Sequence, residues 1–341
     1  MDGGAMLKYR RILLGSFLVL LLILSLVAVC GDGLHHEELS FKSEGHVLQG
    51  YLINANKESS TLIIFVHGDG DLNYDAFGFY RHFWRVMAKH GIAVFSWDKP
   101  GVGGSEGNWL VQDMTQRATE VETALEAVLA RYPNRFQRVG VMGFSQAGWV
   151  LPKLDQEKFD FLVFASTALN WLEQSQYSSR RRLEAEGLPQ AAIDEELSKE
   201  LSCTGQLFGS DVSYLQYLNR SHEKAPMSED RFHFVKLNWQ EDARKELRSI
   251  QLPVLVVHGE EDLNVDGPRN SAEYRQIFDD MKRAHQKTVL IPQATHQLST
   301  SEIFNTPNPG LWELVLLEIF GESAYPCGVL DLIPKWINAL P

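Results

Sequence analysis

Short apolar runs recur along the chain, and the residues between them keep a different period. Leu62–Val66, Ile92–Trp97, Val139–Phe144, Phe161–Ala165, Val254–Val257 and Thr288–Ile291 are rich in Val, Ile and Phe and mostly continuous rather than alternating. Continuous runs of this length predict strands buried on both faces. Val47–Ile53 alternates instead, which predicts an antiparallel edge strand with one wet face. Between the runs lie helical patterns, clearest over Thr115–Tyr132. There Ala118, Val121, Leu125, Val128, Leu129 and Tyr132 mark one face and Pro133 follows the end. Strand alternating with helix predicts a mostly parallel central sheet flanked by crossover helices. The rhythm breaks from about Ala168 to Ile250, which carries no convincing buried strand and reads as several amphipathic helices. Its aromatics, among them Trp171, Phe208, Tyr217, Phe232, Phe234 and Trp239, predict that it packs on something. No internal repeat and no low-complexity tract interrupts the pattern.

The first residues follow another rule. Lys8, Arg10 and Arg11 precede Ile12–Val29, a run without charge, and Glu37 and Glu38 follow it. Such a segment is a signal peptide or a short membrane span. The positive-inside bias then predicts a cytoplasmic N-terminus with the rest of the chain outside the cytoplasm. Three fates are open: a retained anchor, a cleaved signal, or acylation at Cys30, although Val29 is larger than the residue a lipoprotein signal places there. Gly31–Glu38 reads as a polar linker. The expected division is therefore an anchor or signal plus linker over residues 1–38, and a domain over 39–341 with a helical insertion at about 168–250.

Composition narrows the partners. The chain has 341 residues, enough for one large α/β domain with an insertion. Its 44 acidic against 32 basic residues give a net charge of −12, which disfavours nucleic acid and anionic headgroups. No cysteine pair has the spacing of a metal site. Cys203 and Cys327 are left as a disulfide or as two thiols, depending on whether their Cα atoms approach.

One turn in this pattern carries chemistry. Val139–Phe144 runs into Gly143-Phe144-Ser145-Gln146-Ala147, where a helix is expected to begin. A strand-to-helix turn this tight strains the serine backbone, needs small neighbours, and exposes the hydroxyl above the sheet. The usual pattern ends in Gly where this chain has Ala147. A nucleophilic serine needs a base, and the base an orienting acid, in the chain order Ser, Asp or Glu, His. Asp262 follows the run Val254–Val257, with Glu260, Glu261 and Asp266 as rivals; His296 follows Thr288–Ile291, with His285 as rival. His258 and His67 read as structural. The Gly-rich turn His67-Gly68-Asp69-Gly70 after Leu62–Val66 is placed to present backbone N–H groups to an oxyanion, and the second donor is the N–H of Gln146. The Asp69 side chain is not needed for that and is free to meet solvent or the insertion. Asp98-Lys99-Pro100-Gly101-Val102-Gly103-Gly104-Ser105 lacks the ending of a phosphate loop and reads as a tight turn.

These motifs, with Gly259-Glu260-Glu261-Asp262 and Ala294-Thr295-His296, resemble the α/β-hydrolase superfamily over roughly residues 40 to 340. Within it the chain resembles bacterial serine esterases with a helical lid, related to acyl-peptidase and dienelactone-hydrolase-like sequences. The resemblance implies the α/β-hydrolase fold, a triad of Ser145, Asp262 and His296, an oxyanion hole at Asp69 and Gln146, and a lid at Ala168–Ile250. The expected reaction is acyl transfer to water without metal or cofactor. A small-molecule carboxylic ester is the preferred substrate, with thioester and peptide as alternatives. A catalytically idle binding module at the envelope is the competing class, and it would predict a broken triad. Because the insertion follows Phe161–Ala165, it is expected to roof Ser145 and to form an apolar acyl pocket with the core.

Overall fold

The structure is a computed structural model that describes residues 33–54, 59–209, 211–220, 225–282, 285–306 and 310–341. The apolar run Ile12–Val29 and Cys30 lie outside the described residues, and no described helix is long and apolar enough to cross a membrane. Eight strands form one sheet in the order β1-β2-β4-β3-β5-β6-β7-β8. They are β1 (His35–Ser43), β2 (His46–Asn54), β3 (Thr61–Val66), β4 (Ile92–Trp97), β5 (Arg138–Phe144), β6 (Phe161–Ala165), β7 (Val254–Gly259) and β8 (Gln286–Ile291). Neighbours from β4 to β8 pair in parallel, and β2 pairs antiparallel with both β1 and β4. The chain thus adopts the α/β-hydrolase fold.

The central strands have the continuous burial their runs predicted: every residue of β4, β6 and β7 is buried. The outer strands differ from expectation. Val47–Ile53 is not an edge, because β1 covers it from His35 onward, inside the stretch read as linker. The reason is an alternation in His35–Ser43 that turns Leu39 and Phe41 toward the core, while Glu38, Ser40 and Lys42 alternate with them and stay exposed.

Helices cover both sheet faces. One face packs against α2 (Met114–Arg131) and α8 (Gly267–Met281), the other against α1 (Arg81–Lys89), α10 (Leu311–Phe320) and α11 (Val329–Asn338). A short α9 (Ser301–Phe304) joins the second group. Asp113 and Gln116 close α2 with a reciprocal capping box. Among the described residues, the segment between β6 and β7 holds five helices: α3 (Trp171–Ala185), α4 (Gln190–Phe208), α5 (Tyr214–Arg220), α6 (Glu229–Asn238) and α7 (Arg244–Leu247). It leans on the α2 face, where Trp171 stacks on Trp149 at 4.9 Å and Phe234 meets Trp109 at 5.2 Å between ring centroids. Cys203 and Cys327 are both exposed free thiols.

Candidate active site

The strand order reverses beside β3: β4 lies on one side and β5 on the other. In open α/β sheets ligands bind at such a switch point, beyond the carboxyl ends of the strands. His67–Gly70 leaves β3 there and Ser145 ends β5. Ser145 sits at φ +50°, a left-handed conformation that costs a non-glycine residue energy and is held only where surroundings impose it. Gly143 permits the turn, since a Cβ there would collide with Leu151 and with the Ala147 methyl. The segment after Ser145 is not the expected α-helix but two 3₁₀ turns, Ser145–Trp149 and Leu151–Lys153. Pro152 has no N–H to donate four residues back to Gly148, which breaks an α-helical ladder at its start.

The acid and the base come from neighbouring loops. Gly259 allows them to approach, because a Cβ there would strike the Ala294 and Thr295 carbonyls. The Glu260 N–H donates to Ile291 and the Glu261 N–H to Ala294, zipping the two loops together. Asp262 is buried and accepts N–H groups from Asn264 at 2.7 Å and Val265 at 2.8 Å on one oxygen. Its other oxygen lies 2.7 Å from Nδ1 of His296. A carboxylate only accepts, so Nδ1 carries the proton and Nε2 is left as the acceptor. The rivals are disposed of otherwise: Glu260 and Glu261 are exposed, and Asp266 caps α8 through the Arg269 N–H. His285, past the end of α8 rather than on it, accepts through its carbonyl from Val254 at the opposite end of the sheet. His258 is spanned between Ser271 Oγ and the Thr167 carbonyl, and His67 between Tyr80 and the Trp97 carbonyl. Burial pushes their pKa values down to about 4 and about 3, so both are neutral structural groups.

The turn after β3 rests on buried charge. Lys99 Nζ donates to the carbonyls of Gly68 and Gly70, each at 2.8 Å, and lies 4.1 Å over the Trp109 ring. Arg117 donates to the His67 carbonyl and to Gln146 Oε1, both at 2.7 Å. Glu120 accepts from Trp97 Nε1 and Gln112 Nε2 at 2.8 Å. All three are buried, and burial pushes the Lys99 and Arg117 pKa values down and that of Glu120 up. Asp69 accepts from Gln146 Nε2 at 3.2 Å and a bidentate pair from Arg231 of α6 at 2.8 and 2.6 Å. Of the two readings of its side chain, contact with the insertion holds. Burial raises the Asp69 pKa, but the hydrogen bonds and charge of Arg231 outweigh that and hold it below the usual carboxylate range. The signal for the buried pair was present: Arg117 and Glu120 fall on the same helical stripe as Val121, Ala124 and Val128.

A cavity of about 400 Å³ opens beside Ser145 and is lined by Gly68, Asp69 and His296 as well. Its apolar wall comes from Leu72, Phe77, Phe79, Phe304, Leu314 and Leu317. Among the described residues, none that lines it belongs to the insertion, so the acyl pocket expected between insertion and core is not where this cavity lies. The cause is the sheet face chosen: the insertion leans on the α2 side, whereas Phe304 and Leu317 belong to the core on the α10 side. A second cavity, of about 500 Å³, does lie between insertion and core, but it is walled by groups such as Arg180, Asp194, Asp266 and Arg269. Ser166 also lines the first cavity. It follows β6 as Ser145 follows β5, the two strands being in register at Phe144 and Ala165. Its φ is +52°, and its buried hydroxyl has no partner among the described residues.

Comparison with known proteins agrees with this fold. A family model described as serine aminopeptidase, S33, matches residues 57–302. Among solved structures, the Pyrococcus furiosus esterase Pf2001 superposes with a TM-score of 0.57 at 15% identity, over 90% of this chain and 91% of that one. Est1E from Butyrivibrio proteoclasticus, solved with ferulic acid bound, gives 0.55 at 17% identity, over 88% and 99%. The Pyrococcus horikoshii acylaminoacyl peptidase gives 0.51 at 17% identity, over 87% of this chain and 42% of that one. At these identities the likeness is one of fold. Among curated proteins, none matches the sequence.

Proposed function

The chain belongs to the S33 serine aminopeptidase family and is a hydrolase of the α/β fold; from that premise we propose that it is a serine hydrolase cleaving small carboxylic esters, with Ser145, His296 and Asp262 as its triad. The observation that carries this reading is the pairing of Asp262 with His296 Nδ1 at 2.7 Å beside a strained Ser145 that shares a cavity with His296. In the proposed reaction Ser145 Oγ attacks the carbonyl carbon while His296 Nε2 takes its proton. Asp262 keeps the imidazole in the required tautomer and stabilises the imidazolium. The N–H groups of Asp69 and Gln146 receive the oxyanion. His296 then protonates the departing alcohol, and water, activated by the same nitrogen, cleaves the acyl-enzyme. The apolar wall favours an acyl chain over a peptide. One observation favours a second, aminopeptidase reading: Glu313 lines the same cavity and would attract a free α-ammonium group.

The deciding experiment is active-site labelling with a fluorophosphonate, followed by Ser145→Ala. The expected result is one label on Ser145 and loss of hydrolysis with the fold intact. Hydrolysis by Ser145→Ala within tenfold of wild type would remove Ser145 from the role.

We also propose membrane attachment through Ile12–Val29, with the catalytic domain outside the cytoplasm. β1 starts at the end of the sheet away from Ser145, since His35 pairs with Asn54 and Gly50 with Trp97. An anchor before β1 would therefore leave the catalytic edge facing away from the bilayer. Recovery of the full-length chain wholly in the cytosolic fraction would end this reading.

A further inference from the structure

We propose that Lys99 is a positioning residue that sets the oxyanion hole, by fixing the peptide plane whose N–H receives the developing charge. The proposal rests on the serine-hydrolase reading above and adds to it a buried group outside the cavity. A trans peptide is planar, so the carbonyl of one residue and the N–H of the next point in opposite directions. The Gly68 carbonyl is bound by Lys99 Nζ at 2.8 Å, and Lys99 is buried and does not line the cavity. The Asp69 N–H is therefore turned away from Lys99, while Gly68, Asp69 and Ser145 all face the cavity. The turn lies against the nucleophile: a Cβ on Gly68 would stand 3.1 Å from Ser145 Cβ and 3.8 Å from Ser145 Oγ.

One hydrogen bond would leave the turn free to rotate. Lys99 makes a second, to the Gly70 carbonyl at 2.8 Å, so the residues on both sides of Asp69 are held from one nitrogen. Arg117 fixes the preceding carbonyl, that of His67, and the side chain of Gln146, whose N–H is the other donor. Lys99 is itself confined by the Trp109 ring at 4.1 Å. The two donors thus hang on one buried scaffold that touches neither substrate nor nucleophile. Whether Nζ carries two or three protons, it can still donate both bonds. Preorganised donors of this kind need no rearrangement when the charge develops, which is how backbone dipoles accelerate acyl transfer.

The test compares wild type with Lys99→Met, which keeps the length of the side chain and removes its donors. Rates on p-nitrophenyl butyrate are divided by active sites titrated with a fluorophosphonate, and inhibition by an alkyl trifluoromethyl ketone is measured alongside. Misaimed donors should lower kcat by about 10²-fold, the cost of losing one oxyanion contact, with KM within about threefold. Affinity for the tetrahedral ketone adduct should fall in step with kcat/KM, a parallel that a merely less stable protein would not show. Lys158→Met, which removes a surface pair with Glu122 and Glu126, serves as the control and should keep wild-type kcat. Should Lys99→Met not fold, Lys99→Gln, which cannot hold both carbonyls in the same way, is read by the same ratios. Wild-type kcat per titrated site, or a loss confined to KM, overturns the proposal. If Ser145→Ala retains hydrolysis, the serine-hydrolase reading fails and the role of Lys99 falls with it; if only the Lys99 variants behave as wild type, the reading stands and this inference alone is wrong.

Discussion

The sheet domain and the inserted helices are held together in different ways, and the site draws on them unequally. Each sheet face buries one continuous apolar core, and β3 to β7 send residues into both. The insertion leans on the α2-side core through Trp171, Phe234 and Leu247, but its outer part has only small clusters of its own. One gathers Phe208, Val212, Tyr217 and Phe232; the other gathers Leu183, Ile193 and Leu197. Every group proposed to act on substrate stands on the sheet domain. The insertion reaches those groups through polar contacts: Arg231 to Asp69, Tyr177 Oη to the Asp262 carbonyl at 2.8 Å, and Gln174 to Asn264 at 3.1 Å. Rigid chemistry on the sheet with a weakly cored insertion leaning on it is a division of labour, since segments with few buried contacts open most readily.

The sharpest way to break this comparison is at Asp262, which belongs to the sheet domain but is touched by the insertion. Asp262→Asn should lower kcat by about 10³ to 10⁴, through the wrong imidazole tautomer and loss of charge stabilisation. Tyr177→Phe removes the hydrogen bond to the Asp262 carbonyl, worth about 1 kcal/mol, so its kcat should fall by about fivefold at most. Steady-state rates per titrated site decide the matter. A Tyr177→Phe loss close to that of Asp262→Asn would mean that the insertion is part of the catalytic frame.

Acyl selectivity gives the next largest contrast. The wall of the Ser145 cavity comes from α9, α10 and the segment before α1, so Leu314→Ala should move the optimum to longer acyl chains. Each substrate methylene that the wall buries, or no longer buries, shifts discrimination by about 1 kcal/mol or somewhat more. Leu237→Ala, on an exposed face of α6, should leave the profile unchanged. The measurement is kcat/KM across p-nitrophenyl esters of rising chain length. The reverse pattern would return the acyl pocket to the insertion.

How much of this was legible in the sequence follows from the range of the forces involved. The buried strands were legible because solvent exclusion on both faces leaves a local mark, a continuous apolar run. The order of Ser145, Asp262 and His296 was legible because each follows an apolar run, although the run before His296 lies in the edge strand β8, where only Ile291 is buried, and not in a strand buried on both faces. β1 was missed because His35–Ser43 buries only alternate residues, and its histidines and glutamates hide two inward side chains. Lys99, Arg117 and Glu120 were not singled out because their partners, the carbonyls of His67, Gly68 and Gly70 and the Trp97 ring, arrive only when β3, β4 and α2 meet. The cavity was misplaced for a similar reason: the period of the insertion says that it packs, but not on which face of the sheet.

The smallest expected effect is the most informative about how the two regions communicate. Arg231 and Asp69 form a bidentate pair, yet their side chains are 30% and 43% exposed. Exposed pairs contribute about 0.2–1 kcal/mol and weaken as salt rises. Lys99 already holds the Gly68 and Gly70 carbonyls on either side of Asp69, and Arg117 that of His67, so the pair adds little to the aim of its N–H. Arg231→Gln should therefore lower kcat/KM by about fivefold at most in dilute buffer, and the difference from wild type should shrink as salt is added. If Arg231 instead completed the oxyanion hole, the loss would reach about 10²-fold and would persist in salt, because a buried, preorganised dipole is screened far less than an exposed ion pair. Rates of wild type and Arg231→Gln at low and high ionic strength separate these outcomes. A large, salt-resistant loss would make the insertion a working part of the site rather than a neighbour leaning on it.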